Sequence, residues 1–121
     1  MTWYCDGSAD NAKQDVYGFG VVSPRGDEHG GRGFIPEDGC KATNNYAEYI
    51  AMEHAIDLSP DDTTIATDSM LVVKQLNGEW RCKNANIHPV YLRCKKKKGN
   101  RKIIHVRREN NKISDMIASG R

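Results

Sequence analysis

Apolar and polar positions alternate first at short range. Trp3-Tyr4-Cys5 is an apolar run that ends on Asp6, so Thr2 to Asp6 reads as a strand. Val16 to Val22 reads as a second strand, with Gly18 and Gly20 set against large residues, and Ser23-Pro24-Arg25-Gly26 as the turn after it. A glycine-rich third strand, Gly30 to Pro36, would complete an antiparallel meander. The spacing then changes. Ala47, Ile50, Ala51, His54, Ala55 and Leu58 share one face at the helical period, capped by Thr43 or Asn44 and ended by Ser59-Pro60-Asp61-Asp62. Thr63 to Asp68 is a fourth strand, and Met70 to Leu76 a helix stopped by Asn77-Gly78. A further helix begins near Ile87-His88-Pro89 and runs into Lys95-Lys96-Lys97-Lys98. Ile103 to Val106 is a fifth strand, with His105 expected to pack in the core, and Asn110 or Asn111 caps a last helix reaching Ser119. A meander followed by αβ units predicts an α/β fold: a mixed five-stranded sheet, three antiparallel strands plus parallel ones, with helices on both faces.

The length, 121 residues, gives one domain with room for a real core, expected to span 1–121 without repeats or linkers. No apolar stretch approaches the roughly 20 residues of a membrane helix, and the N-terminus lacks a secretory pattern. Cys5, Cys40, Cys82 and Cys94 have no zinc-site spacing, so reduced, mostly buried thiols in a cytoplasmic protein are expected.

Charge is segregated along the chain. Arg81 to Arg108 holds 11 Lys/Arg and no Asp/Glu, while the other residues carry 7 basic and 16 acidic, a net of −9. A one-signed surface of this kind suits a polyanion such as nucleic acid.

Four acids then stand out by context. Asp6 and Asp68 each close an apolar strand, Glu48 lies at the flank of the helical stripe near the core boundary, and Asp115 follows Asn111 in the last helix. Ionised carboxylates at strand ends are unfavourable unless compensated, and convergence on a hard divalent cation would compensate them. The expected chemistry is metal-assisted phosphoryl transfer.

Asp6-Gly7-Ser8, Thr43-Asn44-Asn45-x-Ala47-Glu48, Asp68-Ser69 and Asn111-x-x-x-Asp115, in this order, resemble the four signature blocks of type 1 ribonuclease H. Lys74-Gln75-x-Asn77-Gly78 and Val106-x-Arg108-Glu109-x-Asn111 are similar to the compact archaeal and bacterial branch, which lacks the basic handle of larger members. The resemblance implies a ribonuclease H-like fold and endonucleolytic cleavage of the RNA strand of RNA–DNA hybrids, leaving 5′-phosphate and 3′-hydroxyl ends. It implies two Mg²⁺ ions, with Mn²⁺ as a substitute, about 3.5–4 Å apart as in other two-metal sites. Asp6 would bridge both ions. Glu48 and Asp68 would complete the one near the leaving oxygen, and Asp115 would hold the one that activates water.

Thr43, Asn44 and Asn45 would read the minor groove or contact phosphate, and Asn11 and Lys83 would add substrate contacts. The family's mobile histidine is replaced by Arg107-Arg108-Glu109, which makes Arg108 the candidate for product release. The hybrid is the expected partner, with no membrane and no obligatory protein partner, and the protein would be a monomer. Two other readings remain: a nuclease of the same fold acting on DNA junctions or double-stranded RNA, and a non-catalytic nucleic-acid-binding module.

Overall fold

The computed structural model describes residues 1–10, 12–34 and 40–120. Five strands, β1 (Thr2–Ala9), β2 (Val16–Val22), β3 (Glu28–Phe34), β4 (Thr64–Thr67) and β5 (Lys102–His105), form one sheet in the order β3-β2-β1-β4-β5. The β3-β2-β1 half is antiparallel, and β1-β4-β5 is parallel. Four helices complete the fold: α1 (Asn44–Leu58), α2 (Met70–Leu76), α3 (His88–Lys97) and α4 (Lys112–Ser119). α4 covers β1 to β3 on one face, while α1 covers β1 and β2 from the other and carries α3 on its back. The predicted mixed sheet and its element order are therefore present.

Strand β1 does not stop at Asp6. It continues to Ala9 because Asp6, Gly7 and Ser8 keep pairing with Gly20, Phe19 and Gly18 of the hairpin. What ends near Asp6 is the parallel pairing, whose last partners are Cys5 and Thr67. Asp6 thus marks the point where β1 and β4 part, with Asp68 just beyond β4. Gly18 and Gly20 face α4 so closely that any side chain there would meet the backbone of Ala118 and Ser114. β3 is shifted two residues N-terminal of expectation, and Ile35 and Pro36 lie outside the described residues.

Helix α1 is buried on more than the one predicted stripe. Tyr46, Tyr49, Met52 and Ile56 are buried besides Ala47, Ile50, Ala51 and Ala55, because the helix lies between the sheet and α3. Leu58, placed on the stripe, is 43% exposed, and His54 is half-buried and stacks on Phe19 at 3.9 Å. Each large apolar side chain removed from water contributes about 1.5–3 kcal/mol. The Tyr49 hydroxyl is not left unpaired, since it donates to Gln75 Oε1, and Gln75 Nε2 donates to the Arg81 carbonyl. His105 is exposed rather than buried: β5 is a short edge strand on which Ile103 alone is buried.

Three cations of the basic segment, Arg93, Lys97 and Arg101, also do structural work. Arg93 donates to both Glu53 oxygens, at 2.8 and 3.1 Å, and Lys97 reaches Glu53 and Asp57. Partial burial pushes the Glu53 carboxyl up, but hydrogen bonds from Arg93 and Lys97 outweigh it and hold Glu53 below the usual range. Arg101 is 13% exposed at its side chain and closes two helix ends. Its guanidinium donates to Ser59 Oγ and the Ser59 carbonyl after α1, and to the Lys97 and Lys98 carbonyls at the end of α3. Arg101→Ala strands those acceptors and should cost about 2–4 kcal/mol, a fall in Tm of roughly 10 °C. Arg101→Lys cannot reproduce the planar fork and should recover little of it. Thermal unfolding followed by circular dichroism checks both, and a wild-type Tm for the alanine variant contradicts the assignment.

Candidate active site

A cleft of about 530 Å³ opens where β1 and β4 diverge. Its wall is built from Asp6 to Ala9 of β1, Asn44, Asn45 and Glu48 at the start of α1, Asp68 to Leu71 at the β4–α2 junction, Arg108, and Asp115 of α4. Four elements thus deliver one acid each, and local chemistry fixes each element there. Thr43 caps α1 by accepting the Tyr46 N–H, and Ser69 caps α2 by accepting the Val72 N–H. Asn111 ties the start of α4 to β1: its Nδ2 donates to the Cys5 carbonyl at 2.9 Å, and Ser114 Oγ donates to its Oδ1.

Carboxylate oxygens of Asp6, Glu48 and Asp68 all lie within 4.8 Å of one another. Asp115 joins through Asp6, with which it shares a hydrogen bond, so Asp6 is the acid in contact with both sides of the cluster. Burial raises the Asp6 carboxyl far above its ordinary range, and hydrogen bonding to Glu48 with the charges of Glu48 and Asp68 raises it further. Burial also raises Glu48, partly offset by hydrogen bonds from Asp6 and the Gly7 N–H. Three crowded carboxyls cannot all ionise without a compensating cation. Asp68 Oδ2 is buried with no hydrogen-bond donor among the described residues, and the nearest cation, Arg108 Nε, is 3.8 Å away. An all-oxygen set with an uncompensated buried oxygen suits a hard divalent cation.

The raised values have a consequence for stability without metal. The folded protein keeps protons on Asp6 and Glu48 that the unfolded chain has lost above the ordinary carboxylate range. Stability from these groups is therefore greatest at low pH and falls as pH rises through their folded values. His54, lowered by burial, acts the opposite way only below its ordinary value, so pH 6.5 to 8 isolates the acids. In EDTA the unfolding free energy should decline across that window by up to about 1.4 kcal/mol per pH unit for each retained proton. Denaturant titrations at several pH values measure it, and a flat or rising profile would sink the idea.

The remaining sequence candidates divide. Asn44 and Asn45 are exposed in the cleft, and Asn44 Oδ1 accepts the Ala9 N–H, linking α1 to β1. Arg108 lines the cleft. Thr43 and Lys83 do not line it, and Asn11 lies outside the described residues. Sequence reasoning missed Asn86. Its side chain accepts from Lys41 N, donates to Lys41 O at 2.8 Å and reaches Thr43 Oγ1 at 3.5 Å, so it fixes the loop that leads into α1. An amide in the short stretch Asn84-Ala85-Asn86 carries no periodic signal that would have revealed it. Asn111, expected as part of a block and as a cap candidate, stands at the N-cap of α4 without a side-chain cap hydrogen bond, and its amide instead tethers the helix that carries Asp115 to the Cys5 carbonyl next to Asp6.

Comparison with known proteins gives a consistent picture. The sequence profile of the RNase H family matches residues 1–118. Ribonuclease HI of Halobacterium salinarum is 33% identical over 127 aligned residues, which cover 96% of this chain but 61% of that protein. The chain thus spans about three fifths of that relative's length. The crystal structure of RNase H1 from the same archaeon superimposes with a TM-score of 0.77 at 27% identity, covering 98% of this chain and 93% of the other. LC11-RNase H1, solved in complex with an RNA/DNA hybrid, gives 0.75 at 21% identity and covers 98% and 94%.

Proposed function

This chain belongs to the ribonuclease H family, and we propose that it is a divalent-metal-dependent endoribonuclease that cuts the RNA strand of RNA–DNA hybrids. The observation that carries the reading is the convergence of Asp6, Glu48 and Asp68 within 4.8 Å in a cleft whose rim also holds Asn44, Asn45 and Asp115. The hybrid bound to LC11-RNase H1 supports the choice of polyanion. The acids come from one chain, so the reading includes activity as a monomer.

In this reading Asp6, Glu48 and Asp68 hold one divalent cation, and Asp6 with Asp115 a second, Mg²⁺ with Mn²⁺ as the substitute. The bound cations supply charge neutralisation at the scissile phosphate and an activated attacking water. The protein's own groups do the rest. Asp6 and Glu48 give up the protons they retain when metal-free. Asn44 and Asn45 offer amides to the 2′-hydroxyls and base edges of a shallow minor groove. Gly7 N–H holds one Glu48 oxygen, which fixes the direction of the other. Arg108 assists departure of the product. The ends left are a 5′-phosphate and a 3′-hydroxyl.

The test is a substrate panel in Mg²⁺ or Mn²⁺: labelled RNA–DNA hybrid, double-stranded RNA, double-stranded DNA and single-stranded RNA, beside Asp68→Asn. The expected outcome is cleavage of the hybrid's RNA strand alone, and a loss of at least about 100-fold in the variant, roughly 2.7 kcal/mol of transition-state stabilisation. Cleavage of DNA, or tight binding without cleavage, rejects the proposal.

A further inference from the structure

The loop from β5 to α4 is anchored at both ends to carbonyls that immediately precede catalytic acids. Val106 N–H donates to the Thr67 carbonyl at 3.0 Å, next to Asp68, and Asn111 Nδ2 donates to the Cys5 carbonyl at 2.9 Å, next to Asp6. Between these anchors a 3₁₀ turn, Arg108–Asn110, carries Arg108 over the cleft. Among the described residues that line the cleft Arg108 is the one cation, facing four acids. Its Nε lies 3.8 Å from Asp68 Oδ2, too long for a hydrogen bond but within ion-pair range, and its side chain is 85% exposed against 8% for Asp68. A buried carboxylate oxygen without a donor is thus neutralised by a loosely held, solvent-facing guanidinium.

We propose that Arg108 is a place-holding cation for Asp68, and that divalent metal binding to the acid cluster requires this guanidinium to withdraw. The inference rests on the metal-site reading above and adds that the site has a resident competitor. Arg108 in contact with Asp68 and metal in contact with Asp68 are then alternatives, so removing the arginine strengthens metal binding. Withdrawal frees the guanidinium at the cleft mouth only once metal is bound, where a phosphate can take it.

The measurement is Mg²⁺ and Mn²⁺ affinity by isothermal titration calorimetry without nucleic acid, for wild type, Arg108→Ala, Arg108→Lys and Arg107→Ala. Arg107 is the control for general charge, because it pairs loosely with Glu109 at 3.9 Å and does not line the cleft. Arg108→Ala should bind metal roughly 3–10-fold tighter, the scale expected for losing a close exposed ion pair. Arg108→Lys should fall between it and wild type, and Arg107→Ala should change affinity less than about twofold. A companion NMR titration should show the Arg108 Nε–H resonance moving as metal saturates the wild type. Unchanged or weaker binding in Arg108→Ala, or equal gains from both alanine variants, overturns the proposal. Hybrid cleavage with unaltered metal affinity in Arg108→Ala would reject this inference alone. Tighter metal binding without cleavage of any hybrid would reject only the substrate assignment.

Discussion

Asp6→Asn should abolish cleavage and, in the same protein without metal, raise the Tm. Asp6 is 4% exposed and touches Glu48 and Asp115 as well as the field of Asp68. Losing it removes the acid common to both sides of the cluster. The expected fall in kcat is at least about 1,000-fold, roughly 4 kcal/mol of transition-state stabilisation. Stability moves the other way, because the amide is neutral at every pH and can still donate to Glu48, whereas Asp6 must take up on folding a proton that the unfolded chain has lost above the ordinary carboxylate range. At pH 8 in EDTA a gain of about 1–2 kcal/mol is expected, roughly 4–8 °C for a domain of this size. The gain should shrink when wild type is saturated with Mg²⁺, since metal stabilises only the protein that binds it. Single-turnover cleavage and thermal melts with and without metal test the pair of effects. A variant that keeps activity, or one that melts lower than wild type in EDTA, is incompatible with the described cluster.

Gly7→Ala is the second large effect, and it joins the fold to the site. Gly7 faces α1, and a methyl group there would overlap the Ala47 carbonyl and the Glu48 nitrogen. These are backbone atoms in the first turns of a helix buried on most of its faces, so they cannot give way cheaply. The helix must lift off β1. Overpacking of this kind costs about 3 kcal/mol. The Gly7 N–H also holds Glu48, so lifting the helix displaces a candidate ligand. Displacement by about 1 Å can lower rate 100-fold. The variant should therefore lose both roughly 10 °C of Tm and most of its activity. An alanine variant with wild-type melting and cleavage would mean that the described approach of α1 to β1 is wrong.

Much of this was legible in the sequence because it rests on local patterns. The apolar run Trp3–Cys5, the glycines set against large residues in Val16–Val22, and the change of period at Thr43 point to the mixed sheet and its helices. The acids were visible because a carboxylate after an apolar strand is conspicuous. What escaped depends on partners far along the chain. Glu53 and Asp57 neutralise Arg93 and Lys97 from about forty residues upstream, so part of the acid-free segment is paired within the fold, which its local sequence does not reveal. Helix α1 carries a second buried face because α3 packs on it, and periodicity measured against one face cannot show that. β1 runs past Asp6 because glycines on β2 accept the pairing, a property of the hairpin partner rather than of β1. A tether such as Asn86 has no sequence signature, since a single amide is equally at home on a surface, and Asn111 was visible in its block and as a cap but not as a tether to Cys5.

The Asn111 tether spans 106 positions to Cys5. During synthesis the meander and α1 can form early, because their contacts are local, yet Asp6, Glu48 and Asp68 still lack the helix that carries Asp115. Domains fold as units and non-local contacts form late. A partly folded chain can consequently hold three of the acids near one another before the fourth is added by the docking of α4. The long-range closure that holds the site together is thus also the folding step that completes it.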